Sequence, residues 1–155
     1  MGRPADVWPS KVIVFTDGSS LDNGNPYARA GSAMVFSQEH MRDFTASECL
    51  PRHPLYGQTN NRAEYYAALM AMRAQKKHGW PVMVIMTDSK LLVQTWNEWL
   101  EKWMKRGTWQ QKKNPDLLEQ LWEFKRDPDL TISMKHVRGH QGNTYASNVV
   151  TKRNT

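Results

Sequence analysis

Several stretches of the chain have the apolar, β-branched character of strands, and they are separated by segments whose apolar residues recur every three or four positions. Lys11-Val-Ile-Val-Phe-Thr-Asp17 reads as a buried strand closed by a Gly18-Ser-Ser turn, with Asp17 at its C-terminal end on the face of Ile13 and Phe15. Turn signals at Asp22-Asn-Gly24 and Asn25-Pro26 lead into a second strand, Ala30 to Phe36. Residues 41–49 are expected to form a third, completing a meander. Pro51, Pro54 and Gly57 mark a loop, after which Asn60 or Asn61 is placed to cap a helix running to about His78. On that helix Glu64, Ala67, Ala68, Ala71 and Ala74 share one face. Small side chains there predict close approach to a sheet, with Glu64 in the sheet-facing first turn. Pro81 to Thr87 is apolar without alternation, as in a strand covered on both faces, and it ends in Asp88, which is expected to open a helix. The pattern from Leu91 to Phe124 is helical with breaks near Gly107 and Pro115. Leu130 to His136 alternates as a fifth strand, leaving Gly142 to Thr155 for a loop and a short helix. Residues 1–10, with Pro4 and Pro9, read as an irregular leader, so a single α/β domain is expected over 11–155.

Bulk properties narrow the partner. The chain is 39% hydrophobic and 23% charged, too apolar for a disordered polymer. Lys and Arg outnumber Asp and Glu by 21 to 15, a net charge of +6, which suits a polyanion. The single cysteine, Cys49, excludes an intramolecular disulfide and a cysteine-based metal site, and points to an intracellular setting, cytoplasmic or nuclear. No apolar run approaches the roughly 20 residues of a membrane helix. A monomer without membrane attachment is expected.

The chemistry lies in three acids on separate segments. Two strands that end in Thr-Asp, with Glu64 on the helix between them in sequence, bring three carboxylates to one edge of a sheet. Taken singly, Asp88 is accounted for as a helix cap, Glu64 as a partner of the helix dipole and Asp17 as a turn initiator. Capping does not explain why two buried strands both end in Thr-Asp. Clustered carboxylates repel unless cations neutralise them, and oxygen ligands are the preference of Mg²⁺. Such sites serve phosphoryl transfer with two ions roughly 3.5–4 Å apart.

Thr16-Asp-Gly-Ser19, Gln58-Thr-Asn-Asn-Arg-Ala-Glu64, Thr87-Asp-Ser89 and Val137-Arg-Gly-His-Gln-Gly142 occur in an order and spacing that resembles type-1 (cellular) ribonucleases H, over almost the whole chain from Lys11 to Asn143. The resemblance implies a ribonuclease H-like fold, with a mixed five-stranded sheet flanked by helices and a basic helical protrusion. It also implies an endonuclease that hydrolyses the RNA strand of RNA–DNA hybrids with little sequence preference. By the same resemblance Asp17, Glu64 and Asp88 ligate two Mg²⁺ ions, for which Mn²⁺ substitutes, and Asp17 bridges them. His140, on a loop, assists proton transfer or product release.

Between Trp96 and Lys113 the chain mixes four tryptophans with five positive charges, and no acid lies between Lys102 and Lys113. Aromatics supply contact area while Lys and Arg neutralise phosphates. Trp99, Trp103, Lys105, Arg106, Trp109, Lys112 and Lys113 resemble the basic handle with which family members hold the DNA strand. Asn23, Asn60 and Asn61 match positions that meet the minor groove, where 2′-hydroxyls mark RNA. Thr59 and Asn114 match a pocket for a DNA phosphate, in which an arginine often found in relatives is replaced by Gly57.

One family feature is missing. Relatives carry a fourth carboxylate at the start of the last helix, and this sequence has no Asp or Glu after Asp129. Ser147, Asn148 or Val150 falls at that place; Asn148 is preferred as the fourth catalytic, metal-ligating residue because it is isosteric with Asp and its amide oxygen can ligate a cation without charge. An engineered change, natural loss of activity, and a site that works with three carboxylates all remain open. The alternatives to an active enzyme are a catalytically impaired or non-catalytic hybrid-binding module and the ribonuclease H part of a retroelement polyprotein.

Overall fold

A computed structural model describes residues 11–23 and 25–138. The expected leader, residues 1–10, and the loop and short helix expected over Gly142 to Thr155 lie outside the described residues. Five strands form one sheet: β1 (Val12–Leu21), β2 (Arg29–Phe36), β3 (Ala46–Cys49), β4 (Val82–Thr87) and β5 (Thr131–His136), in the order β3-β2-β1-β4-β5. β1 and β2 are antiparallel, as are β2 and β3, while β4 runs parallel to both β1 and β5. This is the mixed five-stranded α/β architecture expected from the sequence.

β1 is longer than its apolar run. Its parallel ladder with β4 ends at the pair Phe15–Met86, but its antiparallel ladder with β2 continues to Leu21–Arg29. Gly18-Ser-Ser is therefore strand and not turn, because β2 supplies hydrogen-bond partners that a reading of local residues does not see. Asp17 sits mid-strand, just beyond the point where β4 stops.

The third strand is shorter than expected. Glu39–Phe44 forms a 3₁₀ turn that buries Met41 completely, and only Ala46–Cys49 pairs with β2. Residues 39–43 offer Met41 as their lone apolar anchor and no period-two pattern to hold a ladder. The turn also carries Phe44 edge-on to Trp80, ring centres 5.0 Å apart.

Helix α1 (Asn60–His78) starts from Thr59, whose hydroxyl accepts the Arg62 N–H at 3.1 Å, and stops at Gly79 in the left-handed conformation, φ 71°. Thr59 thus replaces the expected asparagine caps. Ala63, Ala67, Ala68 and Ala71 are fully buried on the sheet side, as the small-residue face predicts. Leu69 and Met72 of α1 join Val12, Val14, Met83 and Ile85 of the sheet in the main core. Leu92, Leu100, Leu118 and Leu121 extend it. Each such side chain contributes about 1.5–3 kcal/mol by leaving water.

After β4, helix α2 (Lys90–Gln94), a π-turn (Thr95–Trp99) and helix α3 (Leu100–Arg106) form one continuous rod that ends at left-handed Gly107. A 3₁₀ turn (Trp109–Gln111) follows. Helix α4 (Pro115–Lys125) then begins with proline in its first turn, where no N–H is needed.

Candidate active site and nucleic-acid interface

Gly18 is the joint between helix and sheet. A Cβ at this position would lie 2.3 Å from the Ala63 carbonyl carbon and 2.5 Å from the Glu64 nitrogen, so only glycine admits α1 this close to β1. The contact is fastened by Ser32, whose hydroxyl donates to the Ala63 carbonyl at 2.7 Å, and by the Gly18 N–H, which donates to Glu64 Oε1 at 2.5 Å. The second bond lies past the last β1–β4 pair, where the edge of β1 is open to the helix.

Asp17, Glu64 and Asp88 are brought together by this packing: each offers a carboxylate oxygen, and those oxygens lie within 4.8 Å of one another. Asp17 and Glu64 are buried and Asp88 is half-buried. The bland accounts of the three acids do not survive. Ser89 caps α2, accepting the Leu92 N–H at 3.1 Å, so Asp88 is spared that task. Glu64 is the fifth residue of α1, in its second turn, where the dipole of the helix end has little hold. Asp17 belongs to a strand.

Burial raises the Glu64 carboxyl well above the usual range, and the charges of Asp17 and then Asp88 push it further; the Gly18 N–H opposes them. Crowded anionic oxygens with no nitrogen or sulfur donor among them fit a hard divalent cation of the Mg²⁺ type.

A cleft of about 430 Å³ brings together most of the residues expected to meet nucleic acid. Asn23, Thr59, Asn60 and Asn61 enter it from the segments around the start of α1, and Trp103, Lys112, Lys113 and Asn114 from the far side. Trp99 stacks on Trp103, ring centres 5.5 Å apart and 29° from parallel, and Lys112 lies over the Trp103 ring at 5.1 Å. Lys105, Arg106 and Trp109 do not line the cleft. Lys105 instead pairs with Glu101 at 3.0 Å, and Arg106 is exposed. His140 and Asn148 lie outside the described residues.

The asparagines are held in place. Asn60 Oδ1 accepts the Ser20 N–H at 2.6 Å, and the Asn60 N–H donates to Asn23 Oδ1 at 3.1 Å. Gln58 knits the preceding loop to the sheet, accepting from the Ala30 N–H at 2.8 Å and donating to the Leu50 carbonyl at 3.1 Å. Asn114 has φ 57° and lies beside Arg62, which donates to its Oδ1 at 3.2 Å and grips both oxygens of Asp116 at 2.9 and 2.7 Å. Burial tends to raise Asp116, but the Arg62 guanidinium outweighs it and holds the carboxyl below its ordinary value. Sequence reasoning missed Tyr65 and Leu91 as lining residues and Arg62 as the support of Asn114. Only the nearness of Arg62 to Asn60 and Asn61 hinted at that role, since its partners are 52 and 54 positions away.

The comparisons with known proteins agree with this geometry. The RNase H family model matches residues 9–152. The chain belongs to the RNase H family. Ribonuclease H of Klebsiella pneumoniae is 35% identical over 136 residues, an alignment covering 85% of this chain and 79% of the relative. Together with the family match, the curated relatives and the RNase H1 structural neighbours, the motifs support a type-1 RNase H. Among solved structures, LC9-RNase H1, a type 1 RNase H with the type 2 active-site motif, superposes with a TM-score of 0.71 at 24% identity, over 93% of this chain and 72% of that one. LC11-RNase H1, solved in complex with an RNA/DNA hybrid, gives 0.61 at 22% identity, over 91% and 94%. These two likenesses establish the fold. Among the described residues no helix is long and apolar enough to cross a membrane.

Proposed function

We propose that this RNase H cleaves the RNA strand of RNA–DNA hybrids, with Asp17, Glu64 and Asp88 holding two Mg²⁺ ions, or Mn²⁺ in their place. The observation that carries the reading is the convergence of three carboxylates from β1, α1 and the end of β4 within 4.8 Å. Bound there, divalent cations would supply charge neutralisation at the phosphate and a nucleophile at neutral pH. The chain's own contribution is placement. Ser89 frees Asp88, the Gly18 N–H orients Glu64, and burial keeps bulk water from dispersing the charge. Asn23, Asn60 and Asn61 line a cleft whose other wall carries Trp103, Lys112 and Lys113, an arrangement suited to a minor groove beside a DNA backbone. A monomer in an intracellular compartment, cytoplasmic or nuclear, belongs to this reading, and His140 is assigned to proton transfer or product release.

A labelled hybrid incubated with the protein and Mg²⁺ tests it. The expected outcome is RNA-strand cleavage, reduced at least about a hundredfold by Asp17→Asn. An intact RNA strand where a positive control cuts would refute the enzymatic reading. A second reading, a hybrid-binding module with impaired or no catalysis, is favoured by the absence of any acid after Asp129. It expects tight binding without cleavage, unchanged by Asp17→Asn. Asn148→Asp or Ser147→Asp separates an impaired enzyme, which gains cleavage, from a binding module, which does not.

A further inference from the structure

The rod from Lys90 to Arg106 is interrupted at Thr95–Trp99 by a π-turn, which neither proline nor glycine explains, since that stretch has none. Leu100 donates its N–H to the Thr95 carbonyl, so it does not take the Trp96 carbonyl that an α-helix would assign to it. The Trp96 carbonyl receives the Lys125 ammonium from α4 instead. The same ammonium lies over the Trp96 ring, 4.7 Å from its centre. Beside Trp96, at the start of the turn, buried Thr95 shares a hydrogen bond with Tyr65 of α1 at 3.1 Å. A half-buried lysine here is costly. Burial holds the ammonium below its ordinary range, and the Glu101 charge offsets part of this. Such a cation is retained where it satisfies a group that would otherwise lack a partner.

The extra residue matters because each α-helical residue turns the chain by about 100°, so an inserted one re-aims everything beyond it. Upstream of the turn the rod is packed in the core through Leu92, and within and after it Trp96 and Leu100 are buried. Trp99 and Trp103 share another face, stack on each other, and carry Lys112 over the outer ring. The phase between the core-packed rod before the turn, anchored by Leu92, and the tryptophans Trp99 and Trp103 is set at the π-turn.

We propose that Lys125 is a positioning residue for nucleic-acid binding, holding the π-turn through the Trp96 carbonyl and so fixing the direction in which Trp99, Trp103 and the basic stretch to Lys113 face. This rests on the hybrid-binding reading above. Lys125 itself does not line the cleft and need not meet the nucleic acid.

Lys125→Met keeps the length of the side chain and removes the donor; Lys125→Arg keeps the donor. With hybrid substrate, Lys125→Met is expected to raise KM about five- to tenfold, the worth of one lost aromatic contact, with kcat within about twofold of wild type. Lys125→Arg restores KM. In a Trp103→Ala background the Lys125→Met effect should largely vanish, because both changes disable the same grip. The Trp99 and Trp103 indole resonances should move in Lys125→Met and return in Lys125→Arg, a readout that needs no hybrid. If Lys125→Met does not fold, Lys125→Leu, which likewise removes the donor, carries the same measurements. Unmoved indole resonances, an unchanged KM, or a penalty that adds in full to that of Trp103→Ala each overturn the proposal. So does a salt slope of hybrid binding that falls by about one in Lys125→Met, the mark of a direct phosphate contact. A wild-type chain that binds no hybrid overturns the parent reading, and is told apart because the failure then precedes any substitution.

Discussion

Replacing Gly18 by alanine would drive a methyl group into three backbone atoms, the Ala63 carbon at 2.3 Å, its oxygen at 2.5 Å and the Glu64 nitrogen at 2.5 Å. No side chain is there to swing aside. Ordinary van der Waals contact begins near 3.4 Å, so α1 must move from β1 by about 1 Å, and the strain expected of such overpacking is about 1–3 kcal/mol or somewhat more. The same movement lengthens the bond from the Gly18 N–H to Glu64 and draws that carboxylate away from Asp17 and Asp88. A displacement of 1 Å at a reacting centre costs roughly a hundredfold in rate. Gly18→Ala should therefore lose about 1–3 kcal/mol in urea unfolding and about a hundredfold in hybrid cleavage under conditions where it stays folded. Thermal and urea melts together with a cleavage assay in Mg²⁺ measure both. A Gly18→Ala protein with wild-type stability and rate would show that the helix–strand contact does not set the carboxylate cluster.

Other substitutions probe the rest of the site. At Gly57 an added Cβ meets only Thr59 Cγ2, at 3.8 Å, and the backbone there has no left-handed strain. Gly57→Arg is thus expected to tighten hybrid binding by about 1 kcal/mol, roughly fivefold, and to steepen the salt dependence by about 0.7–0.9; a salt titration with no gain in slope counts against a phosphate pocket at Thr59 and Asn114. Asp116 is held below its unfolded value of about 3.9, so its pairing with Arg62 adds stability that is fully present above that pH and is lost as the pH falls through the lower folded value. Asp116→Asn should cost about 2 kcal/mol near neutrality, discounted for the partial exposure of the pair, and should lose less on acidification than wild type; parallel acid limbs in urea midpoints would contradict this.

Much of the sheet and site was legible because it was written locally. Two apolar runs end in Thr-Asp, an alanine face marks the helix that crosses them, and the tryptophan and lysine pattern marks the cleft wall. What escaped depends on distant partners. β1 continues past Gly18 because β2 pairs with it, residues 39–43 leave the sheet because Met41 is their lone apolar anchor, and Glu64 reaches the site from the second turn of α1 because Gly18 lets the helix close in. The π-turn left no trace in the apolar spacing, and the group that meets its Trp96 carbonyl is a lysine 29 positions further on. Asn114 likewise depends on an arginine 52 residues before it.

Ser89 takes on helix capping next to Asp88, so the carboxylate that joins the three-acid cluster carries no duty in starting a helix. Stability and chemistry are thereby lodged in adjacent but separate side chains. A lineage can exchange a ligand at such a position and keep the scaffold standing. A descendant of this fold that grips a duplex without cutting it lies only a few point changes away.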